Sequence, residues 1–193
     1  MPAPGPAVLL DQAPALIERA VGYTRTSLTL VTPALMCAPT PCAQWDLAVL
    51  LRHMDDSLAA FTEAADLGYV APEPAVRASS GAVIESLKAR ACALLGAWSV
   101  QPNRSQASVA GHPMPSRLLA AAGALEITVH GWDVATACGA RRSIPEPLAK
   151  SLLEVVGLVV GHQDRTVRFG PPVAVPVEAD ASTRLLAALG RRA

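Results

Sequence analysis

Ser116-Arg-Leu-Leu-Ala-Ala-Ala-Gly-Ala-Leu-Glu126-Ile-Thr-Val-His130-Gly-Trp-Asp133 is the stretch on which the fold is decided. Leu118, Ala122, Leu125 and Val129 recur at three- and four-residue intervals, the spacing of one helical face. Ser116, just after the breaker cluster His112 to Pro115, reads as the N-cap, and Gly139 as the left-handed residue past the C-terminus. At about 100° per residue, Glu126, His130 and Asp133 lie within roughly 60° of one another and beside the apolar face. A carboxylate and an imidazole therefore point toward a core. Burying a charge without a partner is costly, so Glu126 needs a cation, a hydrogen-bond network or a shifted pKa. A divalent metal would satisfy it, because glutamate and histidine one turn apart offer lone pairs on the same side. An ordinary ion pair at i,i+4 is the alternative reading of that spacing.

The same periodicity extends outward along the chain. It predicts helix one over Leu10 to Val31, and helix two over Asp46 to Ala65 with Asp46 as its cap. Helix three runs from Val76 to Trp98, ending before Pro102 and Asn103. Ser143-Ile-Pro-Glu146 has the form of a capping box and opens helix five, Pro145 to Val160. Val173, Val175 and Val177 alternate like a short edge strand, and Ser182 to Leu189 reads as a small last helix closed by Gly190. Long amphipathic helices joined by loops predict an all-α antiparallel four-helix bundle over residues 8–162, with a C-terminal extension over 163–193, in one domain.

The chain of 193 residues is 51% hydrophobic, enough to bury one core, and its 16 basic and 16 acidic side chains cancel. That balance offers no footprint for phosphate backbones or anionic membranes, so neither nucleic acid nor a membrane is an expected partner. The N-terminus lacks the form of a signal peptide and no apolar run could span a bilayer, which predicts a cytoplasmic protein, monomer or homodimer. Cys37, Cys42, Cys92 and Cys138 lack metal or disulfide spacing and are expected as reduced thiols, Cys42 as a buried inert one. Lys88 and Lys150 are the only lysines among many arginines, a bias of GC-rich genomes.

His53 lies at the rim of the helix-two stripe, placed to reach a neighbouring helix. Two histidines and one carboxylate fill part of a coordination sphere and leave positions for water or substrate. Asp133 is a candidate orienter of an imidazole or general base, and His112 a second candidate base. His112 and His162 are otherwise read as solvated loop residues, and Trp45, Trp98 and Trp132 as packing residues, one of which could wall a pocket.

Thr40-Pro-Cys-Ala-Gln-Trp-Asp-Leu47 with Leu50-Leu-Arg-His53, then Glu126-Ile-Thr-Val-His-Gly-Trp-Asp133, and finally Arg184-Leu-Leu-Ala-Ala-Leu-Gly-Arg191, resemble the actinobacterial maleylpyruvate isomerase-like proteins of the DinB superfamily. The resemblance implies a DinB-like bundle whose divalent metal, zinc before nickel, is held at His53, Glu126 and His130. It also implies a low-molecular-weight thiol, mycothiol in this lineage, used in cis-trans isomerisation or in S-transfer to an electrophilic substrate. Only residues 161 to 193 follow helix five, fewer than the separate C-terminal domain of the isomerase itself, which points to thiol transfer. A metal-dependent hydrolase or tailoring enzyme using activated water, and a non-catalytic metal- or ligand-binding bundle, are the alternatives.

Overall fold

The computed structural model describes residues 10–70, 82–100, 105–161, 165 and 169–192. Four long helices form the bundle: α1 (Ala13–Leu28), α2 (Leu47–Leu67), α3 (Val83–Val100) and α4 (Ser116–Ala137). The principal helix contacts place them around the bundle in the order α1, α4, α2, α3. Consecutive helices α1 and α2 are thus diagonal neighbours, and residues 29–46 have to cross between them. That crossing segment supplies one wall of the site described below.

Sequence and local structure agree best at the helix ends. Asp46 caps α2 by accepting from Val49 N at 2.8 Å, and Gly68 ends it with φ 78°. Gly139 (φ 77°) terminates α4, with Gly139 N donating to Thr136 O and Ala140 N to Ala135 O, the paired bonds of a Schellman motif. Two expected caps do not form. Ser116 is the first residue of α4 and its buried hydroxyl has no partner, because strand β3 (His112–Pro115) runs directly into the helix and fixes its entry. The Ser143 capping box is likewise absent from α5 (Glu146–Val159), whose N-terminal flank is Pro145. There Ile144 N instead donates to Ser182 Oγ, tying α5 to the chain end.

The stretch His112 to Pro115 is a strand, not only a breaker: it pairs antiparallel with β2 (Gln106–Val109), which pairs parallel with β1 (Tyr69–Val70). Conversely, Val173 to Val177 forms no strand. Val173 and Val175 are half-buried while Val177 is an exposed turn residue, and Val173 N donates to Ala187 O of α6 (Ala181–Ala188). A backbone bond to the last helix, not a ladder, ties this segment down. The expected start of helix three at Val76, and His162, lie outside the described residues. Among the described residues, no helix is long and apolar enough to cross a membrane.

Helix α4 is the centre of the fold. It packs against α1, α2 and α5, and every residue from Ile127 to Ala135 is buried. One apolar face was therefore too narrow a reading: the helix is enclosed on all sides over this span, and the small residues Gly123 and Gly131 set how closely its neighbours approach. A Cβ at Gly131 would lie 2.2 Å from Thr24 Oγ1 and 3.1 Å from the Thr24 backbone on α1. Gly131→Ala is expected to lower unfolding free energy by roughly 1–3 kcal/mol through overpacking. Gly22→Ala, whose Cβ meets nothing within 4 Å, should instead be stabilising by about 0.5–1 kcal/mol. Urea unfolding of both variants checks the contrast, and equal effects would show that the α1–α4 approach is not tight.

Candidate metal centre

Three elements converge on α4. Helix α2 brings His53 so that its Nε2 lies 2.6 Å from Glu126 Oε1, and His130 Nε2 lies 3.1 Å from the same oxygen. The two imidazole rings sit with centroids 5.0 Å apart and planes at 84°, so an edge of each is turned to the carboxylate. The ligand atoms of His53, Glu126 and His130 all lie within 4.8 Å of one another, close to the spacing of donors bound about 2 Å from a common ion. Two nitrogens and one carboxylate oxygen also suit a borderline divalent ion such as zinc. The residues present therefore fit a metal.

Exposure shows where this cluster opens. The side chains of His53 and Glu126 are 35% and 25% exposed, whereas that of His130 is 9% exposed. Solvent reaches the α2 side of the cluster, and Ser57, one turn along α2, places its hydroxyl 3.5 Å from His53 Nε2 there. The wall opposite is the crossing segment. Thr40 N and Oγ1 both donate to Trp45 O, closing a turn in which Gln44 takes φ 70°, an uncommon left-handed conformation for a residue other than glycine. Trp45 emerges with its ring 4.8 Å from the His53 ring and 6.3 Å from that of His130.

Behind His130 lies a second polar layer. Its Nδ1 is 2.9 Å from Asp133 Oδ2, and Asp133 is wholly buried. Arg191, next to the chain end, completes the layer: its Nε and Nη2 donate to the two Asp133 oxygens at 3.2 and 2.8 Å. The backbone delivers it there. Gly190 (φ 81°) follows α6, with Gly190 N donating to Ala187 O and Arg191 N to Leu186 O, a second Schellman turn that swings the chain inward. Cys42 is half-buried rather than enclosed. It donates from Sγ to Asp133 Oδ2 at 3.3 Å and accepts from Arg191 Nη2 at 3.5 Å.

These contacts set the charges. Burial opposes a charge on His130, but the Glu126 carboxylate and hydrogen bonds to Asp133, Cys42 and Glu126 outweigh it and raise its pKa well above the usual value. Burial likewise resists ionisation of Glu126, and the two histidines overcome it, holding the carboxyl well below its ordinary range. Asp133 is pushed up by burial and pulled down further by His130 and Arg191, for a net lowering. His130 thus faces a carboxylate with each ring nitrogen, Asp133 at Nδ1 and Glu126 at Nε2. A divalent ion bound to Nε2 would leave the Nδ1 hydrogen bond to Asp133 in place.

Of the residues singled out from sequence, the structure brings together His53, Glu126, His130 and Asp133. His112 stands exposed on β3, paired in register with Val109, and belongs to neither donor cluster. Trp98 and Trp132 are core residues, leaving Trp45 at the site. Arg191 is a site residue that the sequence reading misses, and Cys42, expected to be buried, is half-buried beside His130 and Asp133. The available signal for Arg191 was a charged residue immediately after a glycine suited to turning the chain back from a helix.

The family model described as the mycothiol maleylpyruvate isomerase N-terminal domain matches residues 17–135. Two solved structures share the fold, a crystal structure of the mycothiol-dependent maleylpyruvate isomerase and one of a single-substitution mutant of that enzyme. They superpose with TM-scores of 0.57 and 0.56 at 19% and 18% identity, each match covering 74% of this chain and 67% of that one. No curated protein matches the chain.

Removing one partner of a buried ion pair leaves the other uncompensated, so Asp133→Asn is expected to cost about 3–5 kcal/mol in urea unfolding. Adding Arg191→Met should recover much of that loss, since the two changes act on one pair. The sign with pH follows from the lowered carboxyl. Its contribution is present above the ordinary value of 3.8 and is lost as pH falls through the folded value, so the wild type should lose more stability on acidification there than Asp133→Asn. A cost below about 1 kcal/mol would mean that the pair is effectively solvated.

Proposed function

The chain belongs to the mycothiol maleylpyruvate isomerase N-terminal domain family, and on that premise we propose that it is a metal-dependent enzyme using a low-molecular-weight thiol, mycothiol in kind, to isomerise a small electrophile or to add its sulfur to one. The observation that carries the reading is the convergence of His53 Nε2, Glu126 Oε1 and His130 Nε2 from two helices beside an opening to solvent. His53, Glu126 and His130 hold the ion. A divalent ion supplies positive charge that makes a thiol ionise near neutral pH and that polarises a carbonyl group.

The chain's own residues do the rest. Asp133 accepts from His130 Nδ1 and so directs Nε2 into the cluster. Trp45 covers the face of the cluster nearest the crossing segment and limits water there, leaving approach to the side where His53, Glu126 and Ser57 are accessible. Cys42 does not form a cysteine–histidine–aspartate relay. In such a relay the thiol and the carboxylate address opposite ring nitrogens, whereas here both Cys42 and Asp133 face Nδ1. That favours an external thiol over the protein's own as nucleophile.

Purified wild-type protein is expected to carry about one divalent ion per chain, zinc in preference to nickel, with His53→Ala, Glu126→Ala and His130→Ala each losing most of it. Asp133→Asn should weaken binding by roughly 10–100-fold. Consumption of mycothiol with a panel of electrophiles, or mycothiol-dependent conversion of maleylpyruvate, should vanish on chelation and return with zinc. Full loading of His130→Ala would place the ion elsewhere. Turnover that needs the metal but no thiol would replace this reading with a hydrolase.

A further inference from the structure

His130 serves two donor sets, one at each ring nitrogen. Through Nε2 it joins His53 and Glu126. Through Nδ1 it joins Cys42 Sγ and Asp133 Oδ2, and these three ligand atoms also lie within 4.8 Å of one another. By donor chemistry the second set should be the stronger competitor for zinc or cobalt, since a thiolate is a softer and better ligand for such ions than a second imidazole. A fold offering both sets side by side would risk drawing the ion away from the side open to solvent, onto the buried flank of His130.

We propose that Arg191 is a built-in cation that closes this second donor set, confining a divalent ion to His53, Glu126 and His130. Its Nη2 lies 2.8 Å from Asp133 Oδ2 and 3.5 Å from Cys42 Sγ, bridging two of the three donors, while Nε takes Asp133 Oδ1 at 3.2 Å. The carboxylate oxygen a metal would need already accepts from Arg191, His130 and Cys42. The guanidinium delivers in place the positive charge that a metal would bring, and it cannot lose that charge by deprotonation.

Nor is it free to swing aside. Nη1 donates to Leu189 O at 3.0 Å, the residue is 7% exposed, and Gly190 touches Gly170 so closely that an added Cβ would sit 2.7 Å from the Gly170 Cα. Displacing the guanidinium would break its bonds to Leu189 and Asp133 inside a buried pocket. The end of the chain thereby decides which nitrogen of His130 is available to a metal. The inference rests on the metal-centre reading for the first set, but its own signature is the presence or absence of sulfur in the coordination sphere.

The test is titration of the full-length protein with cobalt(II) alone, following the near-ultraviolet thiolate-to-cobalt charge-transfer band. Wild type should show none, and its cobalt spectrum and affinity should match those of Cys42→Ala. Arg191→Gln, which keeps a hydrogen-bond donor toward Asp133, and Arg191→Met should gain the band with bound cobalt, and Arg191→Gln/Cys42→Ser should lose it again. A Cys42-dependent band in wild type would overturn the proposal. So would its absence from Arg191 variants that retain their helical circular dichroism, or a wild-type spectrum altered by Cys42→Ala should those variants not fold. A wild type that binds no cobalt while Arg191→Gln develops the band would remove the His53, Glu126 and His130 reading and leave the role of Arg191 standing.

Discussion

A carboxylate with no solvent contact, Asp133, has to be matched by hydrogen bonds and positive charge, and the way it is matched organises the rest of the site. His130 supplies one donor and Arg191 two. Satisfying Asp133 therefore fixes the His130 ring on one side and draws the end of the chain onto the bundle on the other. Neither contact is evidence of large net stability, because desolvating such a pair offsets most of the attraction. What it provides is geometry: with Nδ1 committed to Asp133, Nε2 faces Glu126 and, beyond it, His53.

The bundle supplies this geometry through close packing. Gly131 lets α1 approach α4 one residue after His130, and the hydroxyl of Thr24 is absorbed by Ile127 O at 2.8 Å. Diagonal placement of α1 and α2 sends the connecting segment across the site, so that Trp45 and Cys42 arrive from a loop pinned by its own backbone bonds, Leu47 N to Ala38 O and Ala48 N to Met36 O. The left-handed Gln44 is the local strain in that turn. Strain of this kind persists where surrounding contacts over-determine the backbone, and here those contacts flank the candidate centre.

Much of this was legible in the residues themselves. The E-x-x-x-H spacing with Asp133 three residues on identifies three polar groups on one side of a helix, and caps such as Asp46, Gly139 and Gly190 mark where helices begin and end, because their physics is local. His53 could be placed only at the rim of a stripe, and the family resemblance, not periodicity, assigned it to the cluster. The rest depended on contacts distant in sequence. Arg191 meets Asp133 across 58 positions, and the glycine before it signals an inward turn but not the carboxylate it reaches. The small sheet joins segments separated by α3, and Val173 to Val177 shows the converse failure: an alternating pattern that forms no strand and is tied to α6 by a backbone bond from Val173. That Cys42 lies beside His130 and Asp133 could not be foreseen either, because a loop thiol's neighbours are not encoded nearby.

In the proposed arrangement one divalent ion sits among His53, Glu126 and His130 while the adjoining Cys42 thiol is kept out. Zinc K-edge X-ray absorption of the zinc-loaded wild-type protein measures that coordination sphere directly. A first shell of nitrogen and oxygen alone at about 2.0–2.2 Å, with multiple scattering from two imidazoles, is the expected result. A sulfur shell near about 2.3 Å, or scattering from a single imidazole, would contradict it.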